Sequence, residues 1–167
     1  VGATSIAAGL AGCSGGGDGS GDGGGDGGGE ETTAAPETAE SSDGGSGGPP
    51  SEVQEYLSDA DNFDGSVVDE TGSDSVTVAV GAEGNGGNFA FDPPAVRVSS
   101  GTEVVWEWTG QGGQHNVVTD DAPTDFESEL AAEEGYTFGQ TLEESGVYMY
   151  NCSPHLSLGM KGAVIVE

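Results

Sequence analysis

The spacing of apolar residues predicts one short helix followed by a series of β-strands. Residues 51–60 carry apolar side chains at the i, i+3, i+4, i+7 spacing of an amphipathic helix, namely at Val53, Tyr56, Leu57 and Ala60. Ser51 directly follows Pro50 and is the predicted N-cap. We expect this helix to cover the β-structure that follows it.

From Ser66 onward the pattern changes to short runs rich in β-branched and aromatic residues. Clusters of Gly, Pro, Asn and Asp separate these runs, as in Gly84-Asn85-Gly86-Gly87 and Asp92-Pro93-Pro94. Many short strands punctuated by turns are typical of an all-β sandwich or barrel. The predicted strands are Ser75–Val80, Ala95–Val98, Glu103–Thr109, Asn116–Thr119, Tyr136–Leu142, Gly146–Asn151 and Gly162–Val166.

The first fifty residues have a different composition and predict a leader and a tether. Residues 1–12 are small and apolar, too short to span a bilayer, and they resemble the end of a signal peptide. Leu10-Ala11-Gly12-Cys13 resembles a lipobox, in which Cys13 becomes the lipidated N-terminus; the alternative is a chance cysteine in a leader. Residues 13–50 then form a disordered Gly/Asp-rich linker with a reach of about 35 Å. The folded domain is expected over residues 51–167.

The charge balance is strongly acidic and excludes one class of partner. The chain has 30 acidic residues against Arg97 and Lys161, which gives a net charge of −28. Nucleic acid is excluded as a partner because neutralising phosphates requires clusters of Lys and Arg. The general explanation of this acidity is a solvated surface. A more specific hypothesis is adaptation to very high salt, which screens the repulsion among carboxylates.

The residues that can bind a soft metal fall into one pattern. His115 and His155 are the only two histidines, and Cys152 is the only cysteine of the β-rich region. Cys152, His155 and Met160 follow a C-x2-H-x4-M spacing in a loop between two predicted strands. Two His, one Cys and a weak axial Met are the ligands of a blue-copper electron-transfer site. Zinc is the chemical alternative, but a thioether is a poor zinc ligand.

The chain resembles the cupredoxins, and among them the plastocyanin-like halocyanins of haloarchaea. The resemblance covers residues 51–167 and implies a Greek-key β-sandwich. It implies that His115 and His155 are equatorial ligands, Cys152 the thiolate and Met160 the axial thioether. It rests on the ligand loop and on Phe91-Asp92-Pro93, Gly101-Thr102-Glu103-Val104-Val105-Trp106-Glu107-Trp108, His115-Asn116-Val117-Val118, Gly146-Val147-Tyr148-Met149-Tyr150-Asn151-Cys152 and Gly159-Met160-Lys161-Gly162.

The resemblance also implies contacts around the metal. The backbone N–H of Asn116 is expected to approach the Cys152 sulfur, and its side chain to bind Ser153. Plant plastocyanins carry a Tyr directly before the Cys as part of a lateral docking patch, and this chain has Asn151 there. Electron transfer is therefore expected at the end bearing His155, where Pro154, Leu156 and Leu158 form an uncharged docking surface. Trp106 and Trp108 are expected to pack the core; the alternative is that they relay electrons.

Taken together, the sequence predicts a monomeric one-electron carrier with one Cu(I)/Cu(II) ion, not an enzyme. Two histidines are too few for the additional copper centres of a multicopper enzyme, and haem attachment is excluded because no C-x-x-C-H motif occurs. The alternatives are a copper store and a copper subunit of a larger oxidoreductase. The predicted location is the extracytoplasmic face of the cell membrane, anchored through Cys13, with redox proteins of a membrane respiratory chain as partners.

Overall fold

The structure, a computed structural model, describes residues 48–167. The predictions made for the leader, Cys13 and the linker up to residue 47 lie outside the described residues. No helix in the described part of the chain is long and apolar enough to cross a membrane. The elements are α1 (Ser51–Tyr56), β1 (Val68–Glu70), β2 (Ser75–Gly84), β3 (Gly87–Asp92), β4 (Ala95–Val98), β5 (Thr102–Trp108), β6 (Val118–Asp121), β7 (Thr137–Leu142), β8 (Gly146–Asn151), a 3₁₀ helix (Ser153–Leu158) and β9 (Lys161–Val166).

The strands form two sheets of mixed direction. The five-stranded sheet has the order β1-β4-β9-β8-β6, and the four-stranded sheet has the order β3-β2-β5-β7. Strands β2 and β5 pair in parallel, as do β4 and β9, whereas β8 and β9 form an antiparallel hairpin. The chain therefore passes repeatedly from one sheet to the other, which is the Greek-key sandwich that the sequence predicts.

The core lies between the two sheets and is rich in aromatic rings. Along β5 the residues alternate between buried and less buried positions, so that Trp106 and Trp108 point inward. The Trp106 ring lies edge-on to the ring of Tyr150 from the opposite sheet, with centroids 5.3 Å apart, and 5.1 Å from Phe126. The Trp108 ring lies edge-on to Tyr136, with centroids 4.9 Å apart, so both tryptophans are packing residues of the core.

The predicted helix exists but is shorter than expected. It ends at Tyr56, and Leu57 is its C-cap. The N-cap is Pro50, whose backbone is extended, so the assignment of that role to Ser51 was wrong; no side chain caps this end. The helix packs against the outer surface of the five-stranded sheet through a second apolar cluster, as predicted, and this cluster comprises Val53, Leu57, Ala95, Ala163 and Ile165.

The strands β1 and β3 were missed, and the predicted bounds of β2 and β6 were displaced by more than one residue. The segment Gly84–Gly87 was interpreted as a separator, but Asn85 and Gly86 form a tight turn with φ values of 56° and 78°. Positive φ at both central residues is the signature of a two-residue hairpin, so β2 continues to Gly84 and β3 follows at once. The edge strand β1 has three residues, too few to show the alternation of apolar and polar positions that marks a strand. Strand β6 begins at Val118 rather than Asn116, and the Val117 N–H donates to the Ser128 hydroxyl.

Candidate metal centre

The four predicted ligands come from two loops that follow or precede core strands. His115 lies between β5 and β6, and the other three lie in the β8–β9 connection. Cys152 directly follows β8, His155 lies in the 3₁₀ helix, and Met160 directly precedes β9. Because Asn151 and Lys161 are paired across the hairpin, both ends of this loop are held by the sheet.

Three side chains converge on one point. The Cys152 Sγ atom is 3.6 Å from His115 Nδ1 and 3.4 Å from His155 Nδ1, and the two nitrogens are 3.1 Å apart. This is the single cluster of His, Cys or carboxylate side chains with metal-binding geometry within residues 48–167. The point equidistant from the three atoms lies about 2 Å from each, which is the length of a metal–nitrogen bond in proteins. The residues present therefore fit a copper ion.

The tautomer of His115 suits this role. Its Nε2 atom is 2.9 Å from the Gln111 carbonyl oxygen. Because a carbonyl oxygen only accepts hydrogen bonds, Nε2 carries the proton and the Nδ1 lone pair points at the cluster. The His115 backbone exchanges two hydrogen bonds with Ala131, and the Trp108 indole N–H donates to the carbonyl oxygens of both residues. These contacts hold the His115 imidazole in position and keep its proton on Nε2.

Burial sets the protonation of the cluster. Burial lowers the pKa of both imidazoles, which favours the neutral form of His115 and His155 that can bind a metal. Burial also raises the pKa of the Cys152 thiol, an effect that hydrogen bonds from the backbone N–H groups of Asn116 and His155 oppose. The Cys152 thiol therefore has to lose its proton when a metal binds.

Met160 is fully buried at the end of the ligand loop. Its carbonyl oxygen accepts a hydrogen bond from the Cys152 N–H, and its own N–H donates to the His155 carbonyl oxygen. These bonds place the Met160 backbone directly beside the two neighbouring ligands.

Asn116 joins the two ligand loops, as the resemblance implies. Its Oδ1 atom accepts a hydrogen bond of 2.8 Å from the Ser153 N–H, and its Nδ2 atom lies 3.3 Å from the Ser153 hydroxyl. Its backbone N–H acts on the Cys152 sulfur as a hydrogen-bond donor that lowers the pKa of the thiol. Contacts of this kind orient metal ligands and influence the affinity and the reduction potential of the site.

Two residues at the site were not predicted. The Phe89 ring lies 4.6 Å from the His155 ring and 6.4 Å from that of His115, between centroids. Phe89 belongs to β3, and the Asn85-Gly86 turn was the signal that could have revealed this strand. Gln111 binds His115 through its backbone carbonyl oxygen, which every residue type has, so the sequence gives no sign of this contact.

The ligands differ in exposure. His115, Cys152 and Met160 are fully buried, whereas His155 is partly exposed. Around it, Pro154 is exposed and the leucines Leu156 and Leu158 are 39% and 46% exposed. The predicted docking residues therefore form an uncharged surface beside the most accessible ligand.

A Greek-key β-sandwich with a His–Cys–His cluster at one end defines a cupredoxin. The sequence model of the family described as "Copper binding proteins, plastocyanin/azurin family" matches residues 76–167. Halocyanin of Natronomonas pharaonis is 52% identical over 99% of this chain and 92% of its own length. Plastocyanin of Scenedesmus fuscus is 32% identical over 55% of this chain and 99% of its own. The match to the solved structure of plastocyanin from Dryopteris crassirhizoma covers 55% of this chain and 100% of the plastocyanin chain, with 29% identity and a TM-score of 0.46.

The chain belongs to the plastocyanin/azurin family of copper-binding proteins, which are blue-copper electron carriers. Its likeness to halocyanin extends over nearly the whole chain, which confirms the resemblance drawn from the sequence. Copper is thus confirmed as the cofactor.

Proposed function

We propose that the chain is a mobile one-electron carrier, with copper held by His115, Cys152 and His155 and an axial thioether from Met160. When bound, this copper cycles between Cu(I) and Cu(II) and thereby stores one electron. The observation that carries the proposal is the triangle of Nδ1, Nδ1 and Sγ atoms with sides of 3.1 to 3.6 Å. The hydrogen bonds around this triangle would hold the ligands in the same positions in both oxidation states.

Hydrogen bonds within the protein hold the copper ligands in place, and one ligand offers the electron a path to the surface. The Gln111 carbonyl and the Ala131 backbone fix His115, and Asn116 fixes the loop that carries Cys152. The partly exposed His155 imidazole is the shortest path from the buried cluster to a partner. A fixed ligand set with one edge near solvent favours rapid electron transfer over long-term copper storage.

The carrier role is preferred to an enzymatic one. Both histidines of the chain are already used in the cluster, so this chain has no imidazole left for a second copper centre. The relatives named halocyanin and plastocyanin agree with this preference. A role as copper subunit of a larger oxidoreductase would require a partner chain that supplies the remaining ligands.

We further propose that the protein is tethered outside a cell membrane through a lipid on Cys13, as a monomer, and serves redox proteins of a respiratory chain. The support is the apolar run before Leu10-Ala11-Gly12-Cys13 and the Gly/Asp-rich residues after it. Mass spectrometry of the membrane-extracted protein should find a lipidated Cys13 at the N-terminus. Retention of residues 1–12, or an unmodified Cys13, would refute the tether.

Copper reconstitution tests the central proposal. The Cu(II) protein should be intensely blue from thiolate-to-copper charge transfer, and a redox titration should be reversible with one electron. Cys152→Ser should abolish the colour because a hydroxyl cannot replace the thiolate. A colourless Cu(II) protein with an ordinary tetragonal EPR spectrum would refute the site, and irreversible redox behaviour would favour storage.

A further inference from the structure

Residues 51–64 lie before the matched family region yet contact the ligand loop. The family match begins at residue 76. Helix α1 and the turns after it lie on the outer face of the five-stranded sheet, beside the hairpin that carries three of the ligands. Besides this apolar packing, the segment contacts the two residues that flank Met160 in sequence, Gly159 and Lys161.

Gly159 packs directly on the backbone of Asp59. Gly159 has φ of 92°, and a Cβ atom placed there would be 2.2 Å from the Asp59 carbonyl oxygen. Only glycine fits at this position, both because φ is positive and because the two backbones are in contact. The residue before Met160 is thus held against the N-terminal segment.

Lys161 binds the same residue through its side chain. Its Nζ atom is 2.8 and 2.9 Å from the two carboxylate oxygens of Asp59, 102 residues away in sequence. The same ammonium group lies 5.1 Å from the centre of the Tyr56 ring in α1. The Lys161 side chain is 17% exposed and the Asp59 side chain 50% exposed, so the ammonium group is partly sheltered while solvent still screens the pair.

The segment also reaches the other side of the loop. The Asp61 N–H donates to Asn85 Oδ1, and Asn85 Nδ2 donates to the carbonyl oxygen of Phe89, whose ring packs on His155. Asp59 and Asp61 therefore contact two parts of the site: the end of the ligand loop at Met160, and the β2–β3 hairpin, whose Phe89 ring lies against His155.

We propose that Asp59 is a positioning residue for Met160 and that residues 51–64 act as a brace on the copper loop. The inference rests on the proposed function, because it takes Met160 as the axial ligand. An axial thioether bond is long and weak, so the fold rather than the bond sets the distance between sulfur and copper. Asp59 contacts the residues on both sides of Met160 and thereby fixes that distance.

The experiment compares Asp59→Ala with Lys161→Met in the full chain reconstituted with copper, in high salt. Each substitution removes the Asp59–Lys161 ion pair and leaves the Gly159 contact with the Asp59 backbone in place. Loss of the ion pair loosens the Lys161 side of the loop and lets the thioether withdraw, and a weaker axial donor favours Cu(I). Both variants should therefore raise the reduction potential, alter the ratio of the two charge-transfer bands, and weaken copper binding by about tenfold or more against a chelator. The double variant should add little to either single one.

The two substitutions separate positioning from simple electrostatics. Removing the Asp59 charge would raise the potential through space, whereas removing the Lys161 charge would lower it. Shifts in opposite directions with an unchanged band ratio would overturn the inference, as would no shift in either variant. Lys161→Met is decisive alone if Asp59→Ala does not fold, and Lys161→Arg should retain the wild-type spectrum.

The chain provides a matched control at the other end of β9. Glu167 lies 3.0 Å from Arg97, as an ion pair at the strand end opposite Lys161. Glu167→Gln should leave the potential, band ratio and copper affinity unchanged. If the wild-type protein is blue and the Asp59 variant keeps its potential, band ratio and copper affinity, only the brace is overturned. If the wild-type protein binds copper without intense colour, both the proposed function and the brace are refuted.

Discussion

The Asn116 side chain accepts a hydrogen bond of 2.8 Å from the backbone N–H of Ser153, although the two residues are 37 positions apart. The bond connects the loop of His115 to the loop of Cys152 directly beside both ligands. The amide cannot be replaced by a shorter side chain without leaving the Ser153 N–H unpaired. This side chain therefore adds a direct link between the two loops to the pairing of Val118 with Asn151 in the adjacent strands.

Asn116→Ala should loosen the site while preserving the fold. Loss of a contact of this kind costs about 10- to 100-fold in metal affinity, so a chelator should remove copper at a correspondingly lower concentration. Competition titrations and the optical spectrum measure this effect. Thr124→Ala is the control, because it removes a hydrogen bond to Glu144 near the opposite end of β8. Equal copper affinity in both variants would show that Asn116 is dispensable.

Met160→Gln should keep the blue colour but lower the reduction potential. The equatorial residues His115, Cys152 and His155 are unchanged, so the charge-transfer band persists. An amide oxygen is a harder donor than a thioether and favours Cu(II). Protein-film voltammetry measures the shift. An unchanged potential would show that Met160 packs the site without acting as a ligand.

The local parts of this site could be predicted from the sequence. Cys152, His155 and Met160 lie within nine positions between two strands, so their spacing alone brings them together. His115 is remote in sequence, but it was identified because the chain has only one other histidine. The alternating pattern of β5 likewise indicated which side of the strand faces the core.

Contacts between distant segments could not be predicted in the same way. The contact between the Phe89 and His155 rings depends on β3, a strand that lies in a segment rich in Gly and Asn. The Gln111 bond uses a backbone carbonyl, which every residue type possesses. The Asp59–Lys161 pair joins residues 102 positions apart, and periodicity within a strand or helix carries no information about such a pairing.

Alkaline pH should destabilise the fold through buried tyrosines. Burial raises the pKa of the Tyr150 phenol above its usual value near 10. The neutral phenol is thus favoured in the folded state, so its contribution to stability is complete below about pH 10 and is lost as the pH rises further. Tyr150→Phe should reduce the slope of unfolding free energy against pH by up to about 1.4 kcal/mol per unit. Denaturant titrations from about pH 8 to pH 11.5 measure it, and equal slopes for both proteins would contradict the prediction.

Salt should stabilise the protein because of its net charge of −28. Repulsion among carboxylates opposes the compact state, and the Debye length falls from about 30 Å at 0.01 M to about 3 Å at 1 M. The denaturation midpoint should rise steeply up to about 1 M salt and more slowly above it. Sucrose at equal osmolality is the control, since it does not screen charge. A midpoint independent of salt would refute adaptation to high salt.

Docking of the redox partner is expected on the surface formed by Pro154, Leu156 and Leu158. The exposed leucines lie one and three positions after His155, which is the most exposed of the ligands. In molar salt, long-range steering by the acidic surface is screened, and apolar complementarity has to supply most of the docking energy. Leu156→Asp and Leu158→Asp should each slow electron transfer with the native partner by about tenfold, because a carboxylate is buried in the complex without a counter-ion.

Val68→Asp is the matched control for this docking surface. Val68 is 43% exposed, similar to the two leucines, but it lies on the edge strand β1 outside the ligand loop. Stopped-flow rates should be unchanged in this variant, and the optical spectra of all three variants should match the wild type. Rates should also fall little as salt is raised. If the leucine variants react at the wild-type rate while neutralising distant carboxylates changes it, docking occurs on a lateral surface, in spite of Asn151 at the position before Cys152.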